Sequence, residues 1–371
     1  MRILFDYRPA LRRRTGVGEY VHETARALVA SASAGETLTL FSSSWKDRLA
    51  HDVVPGAATV DARVPVRALH LAWHRLEWPP VEWLAGSHDV VQAAHPLLVP
   101  SRRAARLVTV YDLDFLDAPD RTHAEIRRDY PALAADHARR ADQVVTISTH
   151  TAEAIETRLG VPRSHISICR PGAPHWPRRV AEPVVDGCIL FLGTLEPRKN
   201  LSVLLDAYSA LLEARPDAPP LVLAGHIPAA AESLVRRTRE RPLAGHVELP
   251  GYVSDEGKAA LFRRALVLVL PSHTEGFGLT AVEAMAVGVP VIAANRGALV
   301  ETVGDAGQLV STDDPAALTD ALSTLLSDAP RRGRMREAGW GHASQFTWAR
   351  TAAGVREAWH LALEHRARQC G

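Results

Sequence analysis

Apolar residues along this chain come in short unbroken runs, separated by longer stretches where they recur at helical spacing. Runs of this kind read as strands buried on both faces. In the first half they are Ile3–Phe5, Leu38–Phe41, Val90–Ala93, Leu107–Tyr111, Val144–Ile147 and Ile166–Ile168. In the second half they are Ile189–Leu192, Leu221–Ala224, Val247–Leu249, Leu266–Leu270, Val291–Ala294 and Gln308–Val310. Strand and helix alternate throughout, which predicts α/β architecture with parallel sheets covered on both faces. From Arg170 to Pro183 the chain carries four prolines and no periodicity, the mark of a linker. The tail from Trp348 to Arg368 reads as helix. The expected division is a first domain over 1–172, a linker over 173–187, a second domain over 188–347 and a C-terminal helix over 348–371.

Composition narrows the classes. A chain of 371 residues suits two domains rather than one core. Hydrophobic and charged fractions of 47% and 23% are those of a soluble globular protein. A formal net charge of +1 gives no case for nucleic acid as a partner. Met1-Arg-Ile-Leu-Phe5 enters a strand at once, so a secretory signal is not expected. No apolar run approaches the ~20 residues needed to cross a bilayer. Cys169, Cys188 and Cys370 form neither a disulfide framework nor a metal-ligand spacing. The expectation is a cytoplasmic protein without a metal site or resident cofactor.

The candidate chemistry centres on Pro271-Ser-His-Thr-Glu275-Gly-Phe-Gly-Leu-Thr-Ala-Val-Glu283-Ala-Met-Ala-Val-Gly-Val-Pro290. An apolar strand ends at Pro271, a glycine-flanked loop follows, and Leu279 to Gly288 reads as a helix. The amides of Phe277, Gly278 and Leu279 would be unpaired at that helix start, where backbone N–H groups and the helix dipole attract anions. Glu275 lies before the helix and Glu283 in its first turns. Carboxylates beside a phosphate repel it unless they bind neutral hydroxyls, so sugar rings flanking a diphosphate are the natural occupant. Each glutamate alone also fits ordinary helix-dipole chemistry. Arg198 and Lys199 stand just before a second helix, Leu201 to about Ala214, which Asn200 is expected to cap. Cations there are disfavoured by roughly 0.3–1 kcal/mol each. Two in a row call for a nearby anion or full exposure to water.

Two glutamates with seven residues between them, set in Glu275-Gly-Phe-Gly and followed by Gly288-Val-Pro290, resemble the retaining glycosyltransferases of family 4. The resemblance extends through Phe191-Leu-Gly-Thr-Leu-Glu-Pro-Arg-Lys-Asn200, Gly251-Tyr-Val-Ser-Asp-Glu256, and Gly297-Ala-Leu-Val-Glu301 into Gly304-Asp-Ala-Gly-Gln-Leu-Val310. It implies a GT-B fold: two Rossmann-like, doubly wound domains facing a central cleft, with the C-terminal helix crossing back to the first. It further implies a hexosyl- or mannosyltransferase-like enzyme of carbohydrate biosynthesis that needs no metal. The donor would be a nucleoside diphosphate sugar, GDP- or UDP-linked, and the acceptor a saccharide, lipid-linked or small-molecule hydroxyl. In that scheme Glu275 orients the sugar, Glu283 the ribose, and Lys199, Arg198 and the Phe277–Leu279 amides hold the diphosphate. A nucleotide-sugar epimerase of the same fold and a catalytically silent nucleotide-sugar binder are the alternatives.

In the first half, Arg12-Arg-Arg-Thr-Gly16-Val-Gly18-Glu-Tyr20 follows the first strand. Its glycines would let the backbone approach a ligand closely, and the resemblance places Gly16 and Gly18 facing the donor phosphates and the acceptor. The three arginines could meet an acidic acceptor or lipid headgroups, although a solvated loop is the preferred reading. Tyr111-Asp112 stands where relatives commonly carry His-Asp, and Asp112 is a catalytic candidate at a strand end. Asp112 would otherwise cap the next turn. His123 is the candidate replacement for the absent histidine. From Leu69 to Trp83 the chain concentrates Trp73, Trp78 and Trp83. Packing against the first sheet is the favoured reading. The alternative is a platform for an acceptor sugar or for peripheral contact with a lipid surface.

Overall fold

Each of the apolar runs forms a strand in the computed structural model, which describes residues 1–11, 14, 16–117, 124–179, 181–182 and 186–370. The strands are β1 (Arg2–Asp6), β2 (Thr37–Ser42), β3 (Ala58–Asp61), β4 (Val90–Gln92), β5 (Ala105–Val110), β6 (Gln143–Thr146), β7 (Ile166–Ile168), β8 (Cys188–Leu192), β9 (Leu221–Ala224), β10 (Val247–Gly251), β11 (Ala265–Leu270), β12 (Val291–Ala294) and β13 (Gln308–Val310). The sequence reading lacked β3. It is a half-buried edge strand without an apolar run, recruited by parallel pairing with β2.

The chain divides into two units, one of Met1–Gly172 with Thr347–Gly371 and the other of Ala173–Phe346. The first holds a sheet of order β3-β2-β1-β4-β5-β6-β7, and every pair is parallel. The second holds β10-β9-β8-β11-β12-β13, again all parallel. Both are doubly wound, Rossmann-like sheets. The strand order reverses between β1 and β4 in one and between β8 and β11 in the other, the points beyond which open α/β sheets place their ligands.

The helix Trp348–Cys370 belongs to the first unit. Its Ala352, Val355, Ala358, Trp359 and Ala362 are buried in one core with Ile3, Phe5, Val21 and Leu28. Trp359 Nε1 donates to Gln92 Oε1 at 2.7 Å, and Gln92 Nε2 donates to Thr109 Oγ1 at 3.3 Å. A buried amide on a central strand is thus satisfied by an indole from the far end of the chain.

In the second unit, part of the proline-rich stretch is tied down. The Arg179 amide donates to Val287 O at 2.8 Å, its Nη2 donates to Gly288 O at 3.0 Å, and Arg332 pairs with Glu182 at 2.9 Å. The expected cap at Asn200 is not made. Its backbone is left-handed, at φ 53°, and its side chain donates to Thr312 O at 3.1 Å instead. Among the described residues no helix is long and apolar enough to cross a membrane.

Trp359→Ala removes a fully buried indole and strands the Gln92 carbonyl. It is expected to cost the first unit about 3–5 kcal/mol. Urea denaturation followed by near-UV dichroism should show an early transition. An unchanged midpoint would mean that the helix is dispensable to the core.

Candidate functional site

The strand-order reversal of the second sheet brings two loops side by side: one after β8, carrying Glu196 to Asn200, and one after β11, carrying Pro271 to Gly278. His273 N donates to Arg198 O at 2.8 Å, which stitches the loops together. Lys199 Nζ donates to both Glu275 oxygens, at 2.6 and 2.8 Å, and Ser272 Oγ donates to Glu275 Oε1 at 2.7 Å. Arg198 Nη1 lies 3.7 Å from Glu275 Oε2, while its Nε donates to Glu196 Oε2 at 2.8 Å. The anions that two cations at a helix start require are therefore Glu275 and Glu196.

Glu275 and Glu283 sit in contrasting fields. Burial pushes Glu275 up, but Lys199 and Arg198, with hydrogen bonds from Lys199 and Ser272, outweigh it and hold the carboxyl below its ordinary value. Glu283, within the helix Leu279–Val287, is also buried. Burial raises it above the ordinary value, and Lys258, donating to Oε1 at 2.9 Å, offsets only part of that. Between them Gly278 leads the helix at φ 96°, and a Cβ there would meet Leu299 Cδ2 at 2.7 Å, so only glycine fits. Thr302 Oγ1 anchors the loop by donating to Phe277 O at 2.6 Å. The amides of Phe277, Gly278 and Leu279 make no hydrogen bond among the described residues, as expected of a helix start open to an anion.

The first unit brings a different set to its own order reversal. Asp6, at the end of β1, accepts from Arg8 N at 3.1 Å and Ala94 N at 3.4 Å. His95, just past β4, has Nε2 3.7 Å from Asp6 Oδ2, while its Nδ1 accepts from Leu97 N at 3.2 Å. The ring proton therefore sits on Nε2. Burial, reinforced by His70, His74, Arg8 and His137, lowers His95 well below the usual imidazole range. Tyr111 follows β5 with its hydroxyl buried and without a hydrogen-bond partner among the described residues. Burial raises that hydroxyl well above the ordinary phenol value, so it stays neutral. Asp112 Oδ1 accepts from Asp114 N at 3.2 Å, the turn-capping contact. Gly18 lies within the helix Gly16–Ala30, and a Cβ there would meet Pro9 O at 2.9 Å, so its close approach is to the chain's own turn. Gly16 has open space around it. His123, Arg12 and Arg13 lie outside the described residues.

Residues 15–172 match the family described as glycosyl transferase 4-like domain, and residues 174–341 the family described as glycosyl transferases group 1. The chain belongs to the family 4 glycosyltransferases. It is 27% identical over 367 residues to O-antigen chain mannosyltransferase B of Escherichia coli, covering 94% of this chain and 96% of that protein. It is 30% identical over 286 residues to the D-inositol 3-phosphate glycosyltransferase of Corynebacterium kroppenstedtii, covering 71% of this chain and 62% of that relative, which is under two thirds of its length. The crystal structure of Anabaena Alr3699/HepE in complex with UDP-glucose superposes with a TM-score of 0.71, covering 96% and 98% of the two chains. At 17% identity that likeness speaks for the fold alone.

In this glycosyltransferase the sequence reading missed Lys258 and Ser272. Lys258 had a signal. On the helix Asp255–Arg264 it lies three and four residues before the buried Leu261 and Phe262, so it interrupts the inward face. It also sits over the Trp176 ring, 5.2 Å from the centroid. Ser272 had no comparable signal, because the loop turn alone brings it to Glu275.

Lys258→Met leaves the Glu283 carboxylate buried without its cation, at an expected cost of about 3 kcal/mol at pH 8. A raised carboxyl contributes stability that is present below the unfolded value and lost as pH rises through the folded value. Removing Lys258 raises the folded value further, so the deficit should shrink toward pH 5. Equal deficits at the two pH values in urea denaturation would show that the lysine acts by packing alone.

Proposed function

We propose that this glycosyltransferase moves a hexose from a nucleoside diphosphate sugar, GDP- or UDP-linked, to an acceptor hydroxyl with retention of anomeric configuration. The acceptor is a saccharide, lipid-linked or small-molecule hydroxyl. The observation that carries the reading is the joining of Arg198 and Lys199 to Glu275 beside the helix start at Gly278. The mannosyltransferase relative, aligned over 94% of this chain, favours transfer of a hexose.

The proposed chemistry follows from charge. As the anomeric C–O bond breaks, negative charge gathers on the leaving diphosphate. Lys199, Arg198 and the Phe277, Gly278 and Leu279 amides meet it without waiting for solvent to reorganise. Arg198 and Lys199 are balanced by Glu196 and Glu275, so the Lys199 ammonium turns toward phosphate as Glu275 takes up sugar hydroxyls. A diphosphate oxygen accepts the acceptor's proton on the face that the diphosphate leaves. The new bond forms on that face, with no protein nucleophile. Glu283 binds the ribose hydroxyls. Asp112 and the helix start at Gly16 serve the acceptor side, where the Tyr111 hydroxyl acts only as a neutral hydrogen-bonding group.

A panel of nucleotide sugars, with nucleoside diphosphate release measured with and without acceptor extracts, tests the reading. Acceptor-dependent release with retained configuration is expected. Isomerisation without acceptor would overturn it in favour of an epimerase. With the donor found, Lys199→Ala should lose about 2–4 kcal/mol of transition-state stabilisation while melting normally. Turnover within about threefold of wild type, far below that loss, removes Lys199 from the site.

The two glutamates should separate. Glu283→Ala is expected to weaken nucleoside diphosphate binding, because a ribose contact persists from ground to transition state. Glu275→Ala should mainly slow turnover. Calorimetry that finds nucleoside diphosphate affinity lost only in Glu275→Ala would reverse the donor's orientation.

A further inference from the structure

A cavity of about 210 Å³ opens in the first unit, between the end of the helix Val66–Leu76 and the turn into β5. Trp78, Pro80 and Pro100 give it apolar surface, and Glu77, Arg102 and Arg106 give it polar groups. The favoured reading of the tryptophans holds for Trp73 alone. That indole is buried, with Nε1 donating to Pro79 O at 2.9 Å, whereas Trp78 is 54% and Trp83 61% exposed. The proposed transfer chemistry uses none of the residues lining this cavity.

The lining is held in place by its own contacts. Trp78 and Trp83 meet edge to face at 5.5 Å, and Arg102 stands 5.9 Å from the Trp83 ring centroid. Val81 N donates to Pro100 O at 2.8 Å, which ties the two proline turns together. Glu82 Oε1 accepts from Ser101 Oγ at 2.6 Å and from Arg102 N at 2.9 Å. Glu77 ends its helix left-handed at φ 50°, a conformation disfavoured for any residue with a Cβ, and its carboxylate pairs with Arg140. Arg106 is only partly satisfied. Its Nη2 donates to Arg140 O at 3.3 Å, but its Nε is buried and makes no hydrogen bond among the described residues. A buried N–H without a partner is costly, and an occupant that brings an oxygen removes that cost.

The mixture of groups selects the occupant. An indole and two prolines suit the C–H face of a sugar ring, while guanidinium N–H groups donate to hydroxyls and the Glu77 carboxylate accepts from them. A phosphate would meet the Glu77 carboxylate, and a wholly apolar ligand would leave Arg106 Nε unpaired. We propose that this cavity is a non-catalytic saccharide site that holds one neutral hexose unit of a glycan. Arg106 stands near the amino-terminal end of β5, whereas Tyr111 and Asp112 follow its carboxyl end. About 13 Å of strand separates Arg106 from Val110, so a ring held here is not the reacting one. Sugar binding at this place requires neither donor nor turnover, and it stands or falls apart from the transfer reaction.

The test is titration calorimetry of the full chain, without nucleotide sugar, using methyl α-mannoside, methyl α-glucoside and mannotriose. Saturable binding of at least one of these is expected. Trp78→Ala should weaken it about tenfold, and Trp78→Phe less. Arg106→Gln should weaken it at least about tenfold, because a charged donor is lost. Asp112→Ala, at the other end of β5, should bind as wild type does. Far-UV dichroism and melting control for folding. Should Arg106→Gln unfold, Trp78→Ala at its exposed position decides. Wild type that binds none of the sugars, or Trp78→Ala with wild-type affinity, overturns the proposal. Binding lost in Asp112→Ala but kept in Trp78→Ala assigns the sugar to the acceptor edge and overturns it. Saturable binding of sodium phosphate that Arg106→Gln abolishes, with no sugar bound, makes the cavity an anion site and overturns it too.

Discussion

At the rim of the second sheet Glu283 is buried and Glu275 partly buried, and a lysine answers each. Removing a carboxylate from water costs several kcal/mol unless a cation and hydrogen bonds meet it. Lys199 with Ser272 does this for Glu275, and Lys258 for Glu283. The rest of the site follows from that requirement. The loop after β8 must present Lys199 toward the loop after β11, so the two are stitched at His273 and Arg198. The helix Asp255–Arg264 must turn a charged residue inward, so Ser254 caps it, accepting from Gly257 N at 3.2 Å. The outcome is two carboxyls of opposite tendency on one segment, Glu275 held ionised and Glu283 pressed toward its neutral form.

Much of this was legible from residues. The apolar runs gave away the strands because a parallel sheet covered on both faces leaves no polar alternation to obscure them. Glu275, Gly278 and Glu283 declared themselves by spacing around a strand-loop-helix boundary. The misses have common causes. β3 has no hydrophobic signature, since an edge strand is held by its neighbour's hydrogen bonds rather than by burial. Asn200 looked like a cap, but its amide was claimed by Thr312 O, a contact between residues far apart in the chain. Local propensity cannot foresee such a partner. His95 falls in the same class, because it meets Asp6 only when distant segments converge at a strand-order reversal.

The first unit shows the opposite economy. Where the second buries charge against charge, the first buries imidazoles, His70, His74, His95 and His137, with His95 Nε2 3.7 Å from Asp6 Oδ2. Two of these rings accept backbone amides, His95 from Leu97 N and His137 from Leu98 N at 2.9 Å. The turn after β4 therefore rests on rings that must stay unprotonated. Burial, the first cause in each case, lowers both below the ordinary imidazole value.

The bond between Trp359 and Gln92 also governs how this chain can be made. The second unit is one continuous stretch, Ala173 to Phe346, whereas the first is completed only by the helix that begins at Trp348. During synthesis the amino-terminal sheet emerges first yet waits for the last helix to fill its core. The interior stretch has all of its partners earlier. Domains fold as units once their residues are present, so here the order of emergence and the order of completion are inverted. The nascent amino-terminal sheet remains an open template until the helix that begins at Trp348 is made.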